Sequence, residues 1–446
     1  MRRAASPARL IALALLAAAA IGAAFAAYNP TTLVYPTFRH DLGLHHVNDF
    51  HLRLFTGNRH RFRDPRGIAA VKLIERDRPE KTGDDDELTV YGVNAGEHCI
   101  IYNSSETTIA SHGEKGSGPG RFLDPWGIAA NAAGDVYVAD TGNDRIVHLR
   151  YRAGILHEIK TLSGARGDPV PFRSPRGVAL ASNGDLSIAD TGNNRVVTVD
   201  RAGRLVAAFG GGLLSEPEAI AVLDREERWS CRPDDFLVVV DRMGTRVWKL
   251  RPDGNPIAGT TAAELGVPTG RFRGVAIDYH HQIYLTDETN HRVHKLTPEL
   301  RLLTSFGREG SGDAEFQGPF GITVWRRFGQ FLVSERTGAQ YYWVGVDILD
   351  ARADPVVFRP SGKIRFFLTE RAQVTVTLRG DGDSPVRTLA DERFFPAGER
   401  SLRWDGRDDA GETLAPGRYR VRIEARATYS SSKHFQKEVE FPITLG

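Results

Sequence analysis

The chain has 446 residues, 41% of them hydrophobic, with 46 glycines, 23 prolines and two cysteines. Its 58 basic and 56 acidic residues leave a net charge of +2, which exerts no global pull toward nucleic acid or an anionic membrane. That length allows two or three domains, each able to bury a core.

Residues 1–26 open with Arg2, Arg3 and Arg9, continue as an apolar run from Leu10 to Ala24, and end on Ala24-Phe25-Ala26. A positive start, an apolar middle and a small-x-small site predict a secretory signal peptide cut after Ala26. The protein is therefore expected to be exported: periplasmic, on the cell surface or secreted. Membrane contact is expected only if this segment stays uncleaved. Residues 27–49 carry Pro30, Pro36 and Gly43 and predict an extended lead-in.

From residue 50 to 345 one pattern recurs. Its clearest copy is Pro175-Arg176-Gly177-Val178-Ala179, then Asn183-Gly184-Asp185, then Leu186-Ser187-Ile188-Ala189-Asp190-Thr191-Gly192-Asn193-Asn194-Arg195-Val196. Alternating apolar runs broken at Asn183-Gly184 and Thr191-Gly192-Asn193 predict three short antiparallel strands. A nearly identical copy starts at Pro125-Trp126-Gly127 and a third at Phe272-Arg273-Gly274; weaker ones start at Pro65, Pro217 and Pro319. Six copies of a unit that cannot bury both its faces alone predict a repeat architecture.

The Pro-x-Gly-Ile/Val-Ala opening and the Ala-Asp-Thr-Gly-Asn-x-Arg turn resemble NHL repeats, each one blade of a β-propeller. The resemblance implies a six-bladed ring over residues 50–345 around a central channel. The run Leu52 to Phe55, followed by Thr56-Gly57, resembles Leu205 to Phe209 and Leu302 to Phe306, each followed by glycine. The last unit lacks a fourth strand, so Leu52 to Phe55 is expected to supply its outer strand and close the ring. Cys99 and Cys231 fall in blades 1 and 4, across the ring, and are expected to be unpaired unless the insertion around Cys231 folds over the channel. That insertion, Asp224 to Asp235 with Trp229 and Pro233, is a candidate partner contact. Another, Glu75 to Glu87 with Asp84, Asp85 and Asp86, lacks the alternating ligands of a calcium loop and is expected to be solvated.

Two sets of residues stand out in the ring. Asp140 with Arg145, Asp190 with Arg195, Asp241 with Arg246 and Asp287 with Arg292 recur at the same turn. A catalytic site breaks a repeat, whereas a fold-stabilising bond repeats with it, so these pairs are expected to be structural bonds between strands or blades. Blades 1 and 6 depart from the pattern, with Asn94 to His98 and with Glu335 and Gln340, and should be the looser ones. The second set is the residue between Pro and Gly: Arg66, Trp126, Arg176, Glu218, Arg273 and Phe320. A propeller places all six near one channel mouth, where three guanidiniums repel and Glu218 offsets part of that. The set suits an anionic ligand held by forked hydrogen bonds and stacked on Trp126 or Phe320. The alternative is that the arginines splay to solvent or bond backbone carbonyls.

Amidating lyases resemble NHL propellers and hold zinc through histidines near the mouth, but none of the six positions is His. Lactonase-like propellers place Asp, Glu or Asn around calcium, and only Glu218 qualifies. No Gly-x-Ser-x-Gly elbow or zinc-protease helix occurs. Other NHL proteins bind RNA or carry RING segments; two cysteines exclude a RING, and export with near-neutral charge argues against nucleic acid.

After Val344 short strands alternate with turns, predicting a β-sandwich over 346–446. Trp404-Asp405-Gly406-Arg407-Asp408-Asp409-Ala410-Gly411-Glu412 and Leu414-Ala415-Pro416-Gly417-Arg418-Tyr419 resemble the FlgD-type Ig-like domain. Trp404 is expected to plug its core, with Asp405, Asp408 and Asp409 capping turn amides or, alternatively, binding calcium. The reading is thus an all-β protein, a six-bladed β-propeller followed by an Ig-like β-sandwich. Its expected role is binding of a protein or an anionic small molecule or glycan, with no cofactor and no metal. The alternative is a metal-dependent hydrolase or lyase with its site in the channel. The sequence leaves the oligomeric state open.

Overall fold

The computed structural model describes residues 31–36, 45–57, 59–76, 88–105, 108–359, 361–380, 382 and 384–446. The expected signal peptide lies outside them, as does most of the Glu75 to Glu87 insertion. Among the described residues no helix is long and apolar enough to cross a membrane.

Six antiparallel sheets form the ring. From the channel outward, blade 1 comprises Pro65–Val71, Thr89–Asn94, Cys99–Ser105 and Thr108–His112. The inner strands of blades 2 to 6 are Ile128–Ala130, Val178–Leu180, Ala219–Leu223, Phe272–Ile277 and Ile322–Trp325. Each packs on the next, and that of blade 6 packs on that of blade 1. The recurring glycine is explained by this crowding: a Cβ on Gly127 would sit 2.3 Å from Arg176 O, and one on Gly321 would sit 2.4 Å from Arg66 O.

The turn motif is explained as well. Asp140 Oδ1 accepts the Leu123 amide at 2.7 Å, and Asn94, Asp190, Asp241, Asp287 and Glu335 do the same for residues 63, 173, 215, 271 and 317. One carboxylate or amide oxygen per blade thereby ties the loop before the inner strand to the end of the second strand. The following hydroxyl crosses to the next blade: Thr141 and Thr191 each donate at 2.6 Å to the carbonyls of Pro175 and Pro217. In blades 5 and 6 the hydroxyl comes instead from the residue before the capping acid, Thr286 and Ser334, which reach Phe320 O and Arg66 O.

Three expectations need correction. Asp140 and Asp190 pair with Arg145 and Arg195 at 2.7 Å, but the other two blades differ. Arg246 lies over the Trp248 ring at 4.7 Å, and Asp287 takes His294 Nε2 at 3.0 Å in place of Arg292. An aromatic or imidazole two residues along the same strand face competes for the position. Blades 1 and 6 retain the capping bond through Asn94 and Glu335, so their departures are substitutions in kind.

The third correction concerns closure. Leu52 to Phe55 lies in an α-helix, Asp49–Thr56, and blade 6 is completed by Leu33–Val34 and His46–Asn48 pairing on Gly338–Val344. The N-terminal segment does close the ring, but with residues assigned to the lead-in. Asn48 caps the helix, accepting the Phe50 amide at 3.0 Å, while His51 reaches back to the Asn48 amide at 3.4 Å. Gly57 then stops it in the left-handed region at φ 65°. A terminal glycine ends strands elsewhere in this chain, which is why the pattern misleads.

Beyond the ring, strands Ile348–Asp354, Gly362–Leu368 and Gly398–Trp404 form one sheet of a sandwich. Val357–Phe358, Lys437–Leu445, Gly417–Ala427, Ala372–Arg379 and Pro385–Phe395 form the other. Trp404 is buried in the core beside Phe358, and its Nε1 donates to Arg407 O at 2.8 Å. Asp405 and Asp408 accept the amides of Arg407 and Glu412 within the turn, the capping role expected of them, whereas Asp409 accepts the Thr388 amide of the strand Pro385–Phe395. The sandwich docks below blades 5 and 6: Tyr429 enters the blade 6 core, and Lys295 pairs with Glu370 at 2.5 Å.

Candidate functional site: the arginine-lined channel mouth

The six residues between Pro and Gly meet at one end of the channel. Each sits at the start of an inner strand, and in five blades the residue two before it (Asp64, Asp124, Ser174, Glu216 and Gly318) has a positive φ. That kink and the fixed φ of the proline aim the next side chain toward the axis. In blade 5 Phe272 replaces the proline, and its amide bonds Gly244 O at 2.8 Å; Arg273 then occupies a bulge.

Trp126 is the hub. The Arg66 and Arg176 guanidiniums lie 4.2 and 4.3 Å from its ring centroid, one from each neighbouring blade. Across the mouth Phe320 meets Trp126 edge to face at 5.3 Å, and Arg273 lies 5.5 Å from the Phe320 ring. Such contacts are each worth about 0.5–2 kcal/mol when partly desolvated.

The charge balance goes beyond the partial offset expected from Glu218 alone. Glu218, wholly buried, accepts from Arg273 Nη1 at 2.7 Å and from Arg176. Arg273 Nε also pairs with Glu288 at 2.7 Å, and Arg66 pairs with Asp64 at 2.6 Å and Asp124 at 2.9 Å. Four carboxylates thus face three guanidiniums. Three of the four lie outside the Pro-x-Gly pattern; the overlooked signal is an acidic residue directly before proline at Asp64 and Asp124.

Arg176 is the least satisfied of the three. Its Nε is buried without a hydrogen-bond partner, and its side chain keeps 22% of its surface exposed. Burial pulls its guanidinium below the usual arginine range, Glu218 draws it back up, and Arg273 and Arg66 push it down. The group stays cationic and is held by Glu218 on one side and Trp126 on the other. A preformed cation with part of its surface still exposed can take a small anion.

At the other end of the channel Arg326 spans the blades, donating to Ile277 O and Val222 O at 2.9 Å each and to Glu227 at 2.6 Å. Glu227 belongs to the Asp224 to Asp235 insertion, where Arg228 and Arg327 lie 4.6 and 4.9 Å from the Trp229 ring. Cys99 is buried and Cys231 exposed, and both are free thiols.

The family model of the NHL repeat matches residues 122–149 and 172–199, and that of the FlgD Ig-like domain matches 359–428. A search of curated proteins finds no match. Among solved structures, a virginiamycin B lyase from Staphylococcus aureus is similar at 16% identity and TM-score 0.41, covering 57% of this chain and 76% of its own. A streptogramin B lyase is similar at 15% and 0.42, covering 62% and 92%. A putative gluconolactonase is similar at 15% and 0.44, covering 63% and 89%. At these levels none lends this chain an activity. The protein carries NHL repeats within a six-bladed β-propeller, followed by a FlgD-type Ig-like domain.

Proposed function

We propose that this is an exported, non-catalytic recognition protein whose propeller mouth binds an anionic small molecule or glycan, or an acidic protein segment, positioned by the Ig-like module. The observation that carries the reading is Arg176, a cation stacked on Trp126 that keeps 22% of its side chain exposed at the mouth. Neighbouring carboxylates limit the ligand to a compact group of low charge. A carboxylate fits better than a polyphosphate, because four acidic side chains would repel extended negative charge. The ligand plane would lie against Phe320 or the free edge of Trp126.

The test is calorimetric titration of the protein with uronic-acid oligosaccharides and with Glu-rich peptides, alongside the Arg176→Ala variant. Saturable binding weakened at least tenfold by the substitution is the expected result. Binding that Arg176→Ala leaves unchanged, or none to either class, would overturn the proposal.

A further inference from the structure

A second site lies on blade 1, outward from the mouth and independent of it. His60 follows the Asp49–Thr56 helix, Glu97 sits in the turn after the second strand of the blade, and Cys99 begins the third. One ligand atom from each, a ring nitrogen, a carboxylate oxygen and Sγ, lies within 4.8 Å of the other two. We propose that His60 Nδ1, Glu97 Oε2 and Cys99 Sγ bind a zinc ion, leaving its fourth position open to water.

The donor set is the first reason. Nitrogen, oxygen and sulfur converging from three segments suit a tetrahedral Zn²⁺ with three protein ligands. One thiolate and one carboxylate against a divalent ion make a neutral centre, which tolerates a half-buried position. His60 Nδ1 and Glu97 Oε2 are 2.8 Å apart, and a tetrahedral zinc spreads such ligands to about 3.3 Å. For that pair the required shift is a few tenths of an ångström.

The surroundings are the second reason. Ser111 Oγ lies 2.8 Å from His60 Nε2, and a hydroxyl both donates and accepts. Without metal, Nδ1–H donates to Glu97 and Ser111 donates to Nε2. With metal on Nδ1 the ring proton moves to Nε2 and is donated to Ser111, so the imidazole stays neutral and oriented. Glu97 Oε1 is held separately by the Arg61 amide at 3.2 Å, and Arg63 lies 3.8 Å from it on the solvent side. Cys99 is packed among Leu52, Ile101, Phe62 and Ile109, an apolar wall behind the sulfur. Its thiol proton leaves to solvent on binding. His60 and Glu97 keep 22% and 19% of their side chains exposed, which places the open position on their side.

The test uses the full chain, stripped with chelator and titrated with Zn²⁺ and with Co²⁺. One metal per chain is expected, with a thiolate-to-cobalt charge-transfer band in the near ultraviolet. His60→Ala, at a partly exposed loop, should weaken Zn²⁺ at least a hundredfold, and Ser111→Ala by about 10- to 100-fold. Cys99→Ala should abolish the cobalt band; should that buried substitution fail to fold, His60→Ala and the band in the unmodified protein still decide. Absence of stoichiometric metal, a cobalt spectrum without the thiolate band, or affinity unchanged in His60→Ala would each overturn the site. Arg176→Ala should leave metal binding intact, which separates this result from that at the mouth.

Discussion

Glu218 and Arg273 pair at 2.7 Å across the seam between blades 4 and 5, with side-chain exposures of 0% and 7%. Since Glu218 also holds Arg176, one carboxylate fixes two guanidiniums from different blades. Glu218→Ala would leave the buried Arg273 and the half-buried Arg176 beside each other without that charge. The expected cost is about 3–5 kcal/mol of stability, read by urea unfolding, and a loss below 1 kcal/mol would show that Glu288 and water suffice.

The glycines of the ring give a second prediction. A Cβ on Gly127 would meet Arg176 O at 2.3 Å, whereas one on Gly92, in the second strand of blade 1, would find its nearest neighbour at 3.9 Å. Gly127→Ala should therefore cost about 1–3 kcal/mol through forced separation of two inner strands. Gly92→Ala should be neutral or slightly stabilising. Equal midpoints for the two variants in thermal unfolding would refute the close-approach account of the motif.

Both domains and the six-fold count were legible because the signals repeat: a Pro-x-Gly opening and an Asp-Thr-Gly-Asn turn are readable wherever geometry demands the same residues. The convergence of Arg66, Trp126, Arg176, Glu218, Arg273 and Phe320 followed from that periodicity. What repetition does not encode was missed. Asp64 and Asp124 reach the mouth because a positive φ before proline turns them inward, and Glu288 is specific to blade 5. The helix Asp49–Thr56 shares its apolar spacing and final glycine with true outer strands; only the Asn48 cap distinguishes it. His60 and Cys99 lie 39 positions apart in sequence and are brought together by the loop that Asn94 ties to blade 1 through Arg61 and Arg63.

A third prediction concerns the joint between domains. Lys295, in the third strand of blade 5, and Glu370, in the sandwich, pair at 2.5 Å with 1% and 0% exposure. Lys295→Met alone strands a buried carboxylate and should cost about 3–5 kcal/mol. Adding Glu370→Leu should recover most of that loss, because an apolar pair of similar volume no longer requires desolvated charge. If the double variant is as unstable as the single one in chemical unfolding, the pair contributes more than it costs to bury.

The same joint should carry a pH signature. Asp278, at the hairpin below blade 5, is pushed up to about 7, chiefly by burial and then by the Glu370 charge, with Lys295 opposing. Its Oδ1 accepts the amides of His280 and Gln282 at 2.9 and 2.8 Å, and its Oδ2 lies 3.2 Å from the Tyr284 hydroxyl. Because the folded state holds this proton more tightly than the unfolded chain does, the contribution is fully present below the ordinary carboxyl range. It is lost as pH rises from about 4 toward 7, with a slope approaching ~1.4 kcal/mol per pH unit. Two groups act in the other direction: His281, lowered to about 4 by burial, and Asp287, which hydrogen bonds from His294, Asn290 and the Arg271 amide take to about 2 despite its burial. The observable is therefore the difference between the unmodified protein and Asp278→Asn across that window. The variant should lose relative stability at pH 4 and gain it by pH 7. A difference that stays flat would mean that Asp278 is ionised in the folded protein throughout, with Lys295 as its effective counter-charge.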